Sequence, residues 1–283
     1  MALKPLVEKG RVAMVWDCYH LSFRLTSPLH VGSRKNSNLM ETRPYLPGKV
    51  LWAALTARVT RNMHPGSRGE DYKAVGDKIE DNMRFGYLWP AIDKESPLFP
   101  WDSSGDFEYR FIGSRVSTAM NYEHFSALEG SLHEVEFISP MTRYGEPVWL
   151  VGELWVRRGL QGLEWQAALA NVQIGGERSY GWGRVELASE LIPLAKTVIA
   201  DPEDFTWMGY FPAHVRANSQ SKGKVEGWIE PLAGWETSIS GSQGLGTVAV
   251  AYAPGCRLAE TEANKRIHFR IGRYGVWEFL EAE

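Results

Sequence analysis

A glycine-rich stretch, Gln173-Ile-Gly-Gly-Glu-Arg-Ser-Tyr-Gly-Trp-Gly-Arg-Val-Glu186, separates a helical pattern from a short strand pattern. Any fold this chain adopts must place that bend between those two elements. Glycine lacks a Cβ, so positive φ is cheap there and another backbone can approach closely. Two readings follow. In one, the stretch is a helix-to-strand connection that needs glycine at a C-cap and in a tight turn. In the other, its backbone N–H groups face an anion, Arg178 and Arg184 supply charge, and Tyr180 and Trp182 offer flat faces to a base.

Upstream, Tyr19, Leu21, Phe23 and Leu25 alternate with His20, Ser22, Arg24 and Thr26, which predicts a half-buried strand ending at the Ser27-Pro28 turn. Residues 33–44 read as a polar, basic loop. A helix follows from about Tyr45 to Met63, with Pro47 in its first turn and Val50, Leu51, Ala54, Leu55 and Val59 as its buried stripe. A helix start behind a basic loop is a natural phosphate seat. Residues 64–110, rich in breakers around a short charged helical stretch, read as an insertion rather than a core element. Strand patterns return at Leu132–Ile138 and Pro147–Val156, with Met141–Gly145 as a hairpin loop between them. Residues 162–172 read as a helix and Arg184–Ala188 as a strand.

The order β, α, insertion, β, β, α, β is that of a split β-α-β, ferredoxin-like fold in the α+β class. The expected organisation is a domain over 1–190, with an insertion at about 64–130, and a β-rich C-terminal extension over 191–283. The extension holds strand-like runs at Thr247–Tyr252, Lys265–Ile271 and Val276–Leu280, with a turn at Ser240–Gly246. In the second run Arg266, His268 and Arg270 share a face, which reads either as an RNA-facing edge or as an ordinary solvated one.

The net charge of -3 argues against a protein that grips nucleic acid with its whole surface. It conceals a segregated patch, because residues 33–61 carry Arg34, Lys35, Arg43, Lys49, Arg58 and Arg61 against the single acid Glu41. Two distant cysteines, Cys18 and Cys256, imply neither a disulfide framework nor a zinc knuckle. No apolar run approaches the about 18 residues of a membrane span, and residues 1–10 lack the features of a secretory signal. A cytoplasmic protein with no membrane partner is the expectation. The glycines precede no Walker lysine-serine pair, their spacing is not the dinucleotide fingerprint, and His133-Glu134 lacks the second histidine of a metalloprotease helix.

Three stretches carry a family resemblance. Leu29-His-Val-Gly32 with Tyr45-Leu-Pro-Gly-Lys-Val-Leu51, Arg115–Asn121 with Ala127–Glu136, and Ile174–Arg184 resemble, in order, three conserved passages of RAMP-superfamily CRISPR proteins. Trp228-Ile-Glu-Pro-Leu-Ala-Gly-Trp-Glu236 is similar to the tails of some type III-D-like subunits. The resemblance implies a RAMP domain with an RRM-like fold and a thumb-like insertion that kinks the guide–target duplex. It implies a subunit of a type III CRISPR effector complex in antiviral defence, with crRNA, target RNA and other effector subunits as partners. Carried over, the RNA-binding residues are Arg34, Lys35, Lys49, Arg178, Ser179, Tyr180 and Arg184, with Met120 or Tyr122 near the thumb.

Cutting subunits of that family carry a loop aspartate that works with a divalent metal. Between Gly32 and Pro47 this chain has only Glu41, so an Mg²⁺ requirement arises only if Glu41 supports target cleavage. A related branch processes the precursor guide with a general-base histidine and no metal, for which His20 and His30 are the candidates. No resident cofactor is expected. Three readings therefore stand: a guide-holding scaffold, a metal-dependent target-RNA cutter and a metal-free processing endoribonuclease.

Overall fold

The structure, a computed structural model, describes residues 16–102, 105–237, 243–246, 249–262 and 265–280. The chain begins with strand β1 (Trp16–Leu25), the hairpin β2 (Gly32–Asn36) and β3 (Leu39–Thr42), and helices α1 (Gly48–Met63) and α2 (Gly69–Asn82). Short strands β4 (Met83–Phe85) and β5 (Trp89–Ala91) precede α3 (Phe107–Phe111), β6 (Ile112–Ser117), β7 (Met120–Asn121), β8 (Ser126–Ala127) and β9 (His133–Ile138). Then come β10 (Trp149–Arg157), α4 (Trp165–Leu169) and β11 (Val185–Leu187).

The central sheet has the order β11-β1-β10-β4, with β5 also paired to β10 and every pair antiparallel. Two β-α-β units interleave in it, so the α+β class expected from the sequence is the one adopted. β1 and β10 pair from Trp16↔Arg157 to Arg24↔Trp149 and lie in the middle. Leu21, Phe23, Leu150 and Leu154 on these strands are buried under α1, whose Leu51, Leu55 and Val59 are buried too. Thr60, also buried on α1, satisfies its hydroxyl by donating to the Thr56 carbonyl at 2.7 Å.

Several expectations need correction. β1 is not half-buried: Cys18 and Ser22 on its second face are buried as well. Residues 188–199 run along it, with Leu194 N–H on the Cys18 carbonyl and Ile199 O accepting from the Trp155 indole at 2.9 Å. Residues 33–44 are not a loop but the β2–β3 hairpin, turned at Ser37 (φ 55°). All of β2 is exposed, so it has no apolar alternation by which a strand could be recognised. Residues 83–91 are core, not insertion: β4 and β5 extend the central sheet, and Phe85, Leu88 and Trp89 are buried. Pro90 is tolerated because β5 is an edge strand. β9 and β10 do not form a hairpin together. β9 belongs to a second sheet, β2-β3-β9-β6, and the Met141–Gly145 turn carries the chain from that sheet to the first. The helix expected over 162–172 shrinks to Trp165–Leu169. Beyond β6, the β7–β8 hairpin projects with Met120, Tyr122 and Phe125 exposed.

The C-terminal part adds β12 (Phe205–Thr206), β13 (Val215–Arg216), β14 (Val225–Glu226), β15 (Ile229–Leu232), β16 (Trp235–Thr237) and β17 (Gln243–Leu245). β18 (Ala249–Tyr252), β19 (Arg257–Leu258), β20 (His268–Ile271) and β21 (Trp277–Phe279) follow. A six-stranded sheet, β12-β20-β21-β13-β18-β15, encloses an aromatic core in which Phe211 meets Phe269 at 5.2 Å and Phe205 meets Trp277 at 4.8 Å. This core is continuous with that of the N-terminal part. Trp89 donates its indole N–H to the Pro212 carbonyl at 2.9 Å, and a Cβ on Gly275 would lie 2.3 Å from the Phe85 carbonyl oxygen. The segment read as an insertion is thus the seat of the extension. Residues 1–10, read for a leader, lie outside the described residues, as do residues 240–242 of the expected turn and 247–248 of the strand pattern. Among the described residues no helix is long and apolar enough to cross a membrane.

Glu80 of α2 lies where these parts meet. Burial raises its carboxyl to about 7, against the lowering pull of the Arg273 and Arg84 charges and a backbone N–H from Tyr274. Between the ordinary carboxylate range and about 7 the folded chain holds a proton that the unfolded chain has released. The stability from the neutral form is therefore full at acid pH and is lost as pH rises through about 7. Glu80→Gln, which stays neutral, is expected to raise Tm relative to the wild type more at pH 8 than at pH 5. An equal difference at both pH values in thermal denaturation would show that this proton is not coupled to folding.

Candidate nucleic-acid interface

The glycine-rich loop is built by close backbone approach. Gly183 has φ 73°, and a Cβ there would lie 1.8 Å from the Ile174 carbonyl oxygen. Gly175 has φ 81°, and its Cβ would lie 2.4 Å from the His30 carbonyl oxygen. Ile174 N–H donates to Gly183 O at 2.8 Å, Gly183 N–H to Pro28 O at 2.7 Å and Gly176 N–H to His30 O at 2.9 Å. These bonds stitch the loop to the turn after β1. They also consume the Gly176, Gly181 and Gly183 N–H groups, the last but one on the Arg178 carbonyl, so those donors do not face an anion as expected. Any grip on phosphate falls to side chains. Arg178, Ser179 and Tyr180 form one exposed 3-10 turn on this base, with Tyr180 80% exposed, and Arg184 is exposed beside it. Trp182 offers no stacking face, because it is buried edge-on against Phe137 at 5.1 Å.

The basic hairpin stands next to this loop. Arg34 and Lys35 are exposed on β2, and the Arg34 guanidinium pairs with Glu41 at 2.5 Å. Glu136 behind them accepts the Thr42 N–H at 3.0 Å. Among the described residues no group of three His, Cys, Asp or Glu side chains could hold a metal ion. Glu41, tied to an arginine, does not fit the carboxylate set that a hydrated Mg²⁺ needs.

The two candidate histidines part company. His20 makes a 2.7 Å bond to the Lys94 carbonyl through Nε2, away from the loop. His30 is buried, and its Nδ1 is 2.8 Å from the Glu136 carbonyl. A carbonyl only accepts, so Nδ1 carries the proton and Nε2, on the Gly32 side, is the acceptor in the neutral ring.

Between the two parts of the chain lies a cleft of about 670 Å³. His30 to Ser33, the first turns of α1 with Lys49, and Gly175 with Gly176 form one wall; Pro231 to Gly234 with Arg273, Tyr274 and Val276 form the other. Ser33 of the basic segment, Lys49 of the helix start, and Gly175 and Gly176 of the glycine-rich loop thus meet at one hollow. Lys49 and His30 line it, Arg34 directly follows the lining residue Ser33, and Arg178 lies two residues beyond Gly176. Met120 and Tyr122 do not; they sit on the projecting hairpin. Lys49 Nζ is 4.8 Å from the centre of the Tyr274 ring.

Sequence reasoning missed the cleft floor. Arg43 forks onto Glu230 at 2.7 and 3.3 Å and reaches the Tyr45 hydroxyl at 2.9 Å. His214 Nε2 is 2.5 Å from the same carboxylate, and its Nδ1 is 2.6 Å from the Tyr87 hydroxyl. Burial alone would raise Glu230, but hydrogen bonds from His214 and Arg43 and their charges bring it down to about 2. Burial lowers His214 despite Glu230 and pushes Tyr87 well up. One proton arrangement follows: Tyr87 donates to Nδ1 of a neutral His214, whose Nε2–H donates to the Glu230 carboxylate. No local motif announces a network assembled from residues 43, 87, 214 and 230.

No family model and no curated protein matches the chain. Among solved structures it is similar to a chain in the cryo-EM structure of the type III-B Cmr-beta bound to cognate target RNA and AMPPnP. That alignment has a TM-score of 0.51 at 11% identity and covers 84% of this chain and 85% of that one. A chain of Cmr-beta bound to cognate target RNA aligns with a TM-score of 0.48 at 10% identity over 86% of each chain. At 11% identity the first likeness is one of fold.

Glu230→Ala leaves the Arg43 guanidinium, whose side chain is only 14% exposed, without its carboxylate. The variant is expected to lose about 3 kcal/mol in chemical denaturation at pH 7. Because Glu230 is depressed, its contribution is present at neutral pH and is lost as pH falls from the ordinary carboxylate range towards about 2. The gap between wild type and variant should therefore shrink on acidification; a constant gap would assign the loss to packing alone.

Proposed function

We propose that this chain is an RNA-holding subunit of a type III CRISPR effector complex, of the RAMP and III-D-like kind, acting in the cytoplasm. The observation that carries the reading is the single cleft at which the helix start with Lys49, the base of the basic hairpin and the glycine-rich loop meet. The fold shared with a chain of a complex bound to target RNA supports it. In this reading the domain over 1–190 lays crRNA backbone along Arg34, Lys35, Lys49 and the Arg178–Arg184 turn. The projecting Met120–Tyr122 hairpin kinks the guide–target duplex, and the extension over 191–283 closes the far wall. Recognition is of backbone rather than sequence, so affinity falls steeply with salt.

The scaffold role is preferred to metal-dependent cutting because Glu41 is engaged by Arg34. One observation favours a second reading, metal-free processing: His30 has its Nδ1 proton fixed by Glu136, which leaves Nε2 as the basic nitrogen of a cleft-lining ring. Incubating the purified chain with a precursor repeat RNA in EDTA separates the two. Cleavage that His30→Ala abolishes establishes the nuclease, and intact RNA retained on the protein establishes the scaffold.

Arg178→Ala combined with Arg184→Ala removes two exposed charges without touching the core. The double variant is expected to bind single-stranded RNA about tenfold more weakly at low salt, with a log–log salt slope shallower by about 1.4. Binding titrations over a range of salt check this. Wild-type affinity and slope in the double variant would reduce the loop to a structural connection.

A further inference from the structure

On the C-terminal sheet, β20, β21 and β13 are neighbours, with Arg270 opposite Glu278 and Val215 beside Trp277. Phe269, Ile271, Val215 and Trp277 are buried, so Arg270, Glu278 and Arg216 stand together on the other face. Glu278, with 14% side-chain exposure, receives Arg216 on Oε1 at 2.7 Å and Arg270 on Oε2 at 3.0 and 2.7 Å. The two arginines are about half exposed. Arg216 directs one and Arg270 two of their five N–H groups at this carboxylate. A third cation, Arg273, is exposed and lies 4.5 Å from the centre of the Tyr274 ring. Its charge also acts on the buried Glu80 carboxyl. Tyr274 keeps a left-handed backbone (φ 61°, ψ 21°) that costs a non-glycine residue energy and fixes where the ring and Arg273 stand.

Glu278 is also where three hollows join. The cleft includes Arg216, Arg273 and Glu278; a second hollow of about 340 Å³ is lined by Arg216, Arg270 and Glu278; a third of about 300 Å³ by Arg270, Arg273 and Glu278 together with Arg84 and the acids Glu80, Asp81 and Glu203. We infer that this triad of arginines is a second phosphate site, continuous with the cleft, over which single-stranded RNA leaves the glycine-rich loop and crosses the C-terminal sheet. Glu278 acts there as a resident anion. It holds Arg216 and Arg270 splayed and pre-oriented in the absence of RNA and weakens the grip on phosphate when RNA arrives. The inference rests on the RNA-holding reading above. Continuity with the cleft favours RNA over an acidic segment of a neighbouring protein.

The test is a substitution expected to improve binding. Glu278→Gln keeps the shape and an acceptor oxygen but removes the charge. In the 283-residue chain it should tighten binding of a 20-nucleotide single-stranded RNA several-fold and steepen the salt slope by about 0.7, one phosphate contact. Arg216→Ala with Arg270→Ala should weaken binding and make the slope shallower by about 1.4. A five-nucleotide RNA, too short to span both the cleft and the β20–β21 face, should respond to both variants less than the 20-nucleotide RNA does. If the long RNA is indifferent to both variants yet sensitive to Arg178→Ala/Arg184→Ala, the second site is overturned and the RNA-holding reading stands. If the wild type binds no RNA, both fall. If Glu278→Gln tightens binding of a poly-glutamate peptide but not of RNA, the patch serves an acidic protein partner and the inference is wrong. Should Glu278→Gln fail to fold, as judged by circular dichroism, the double arginine variant decides alone.

Discussion

The buried pairing of Arg43 with Glu230 is the interaction on which the candidate site depends. It joins the segment after the basic hairpin to an edge strand of the C-terminal sheet, and His214 and Tyr87 extend it into the core. Each member satisfies the next, so none carries an uncompensated charge or an idle proton in a poorly solvated place. A cleft made of two walls from distant parts of a chain keeps its width only if something specific sets the separation. Apolar contact alone tolerates sliding, whereas a forked guanidinium–carboxylate pair fixes both distance and angle.

Around that floor, two demands on the glycine-rich loop are met by different residues. Gly175 and Gly183 exist for packing, since each sits against a carbonyl where a Cβ would overlap. Arg178, Tyr180 and Arg184 face solvent and carry what chemistry the loop has. The connector reading and the nucleic-acid reading are therefore not rivals: the glycines anchor the turn on which the cations are displayed.

The main elements were legible in the sequence where apolar residues recur. β1 and β10 of the central sheet, helix α1, and β9 of the second sheet carry such runs, and the α+β class follows from their order. What escaped has physical causes. β2 is exposed along its whole length and has no apolar alternation to display. β4 and β5 are too short for a period to develop, and Pro90 argues against a strand unless the strand lies at an edge. The β9–β10 turn looks like a hairpin because nothing local reports that the chain changes sheets there. For the site, the cations of segments 33–49 and 178–184 were visible as composition. Arg43, His214, Glu230 and Glu278 gain their roles only from long-range contacts. Trp182 misled for the opposite reason, because an aromatic in a polar loop can belong to the core beneath it.

The backbone carbonyl of Glu136 binds His30 while its carboxylate binds the Thr42 N–H. Glu136 lies on β9, the strand paired throughout with β6, at whose far end the exposed Met120–Tyr122 tip projects. One residue of the β6–β9 pair therefore ties down both the His30 ring and the last strand residue of the basic hairpin, so the two cannot shift independently of that strand.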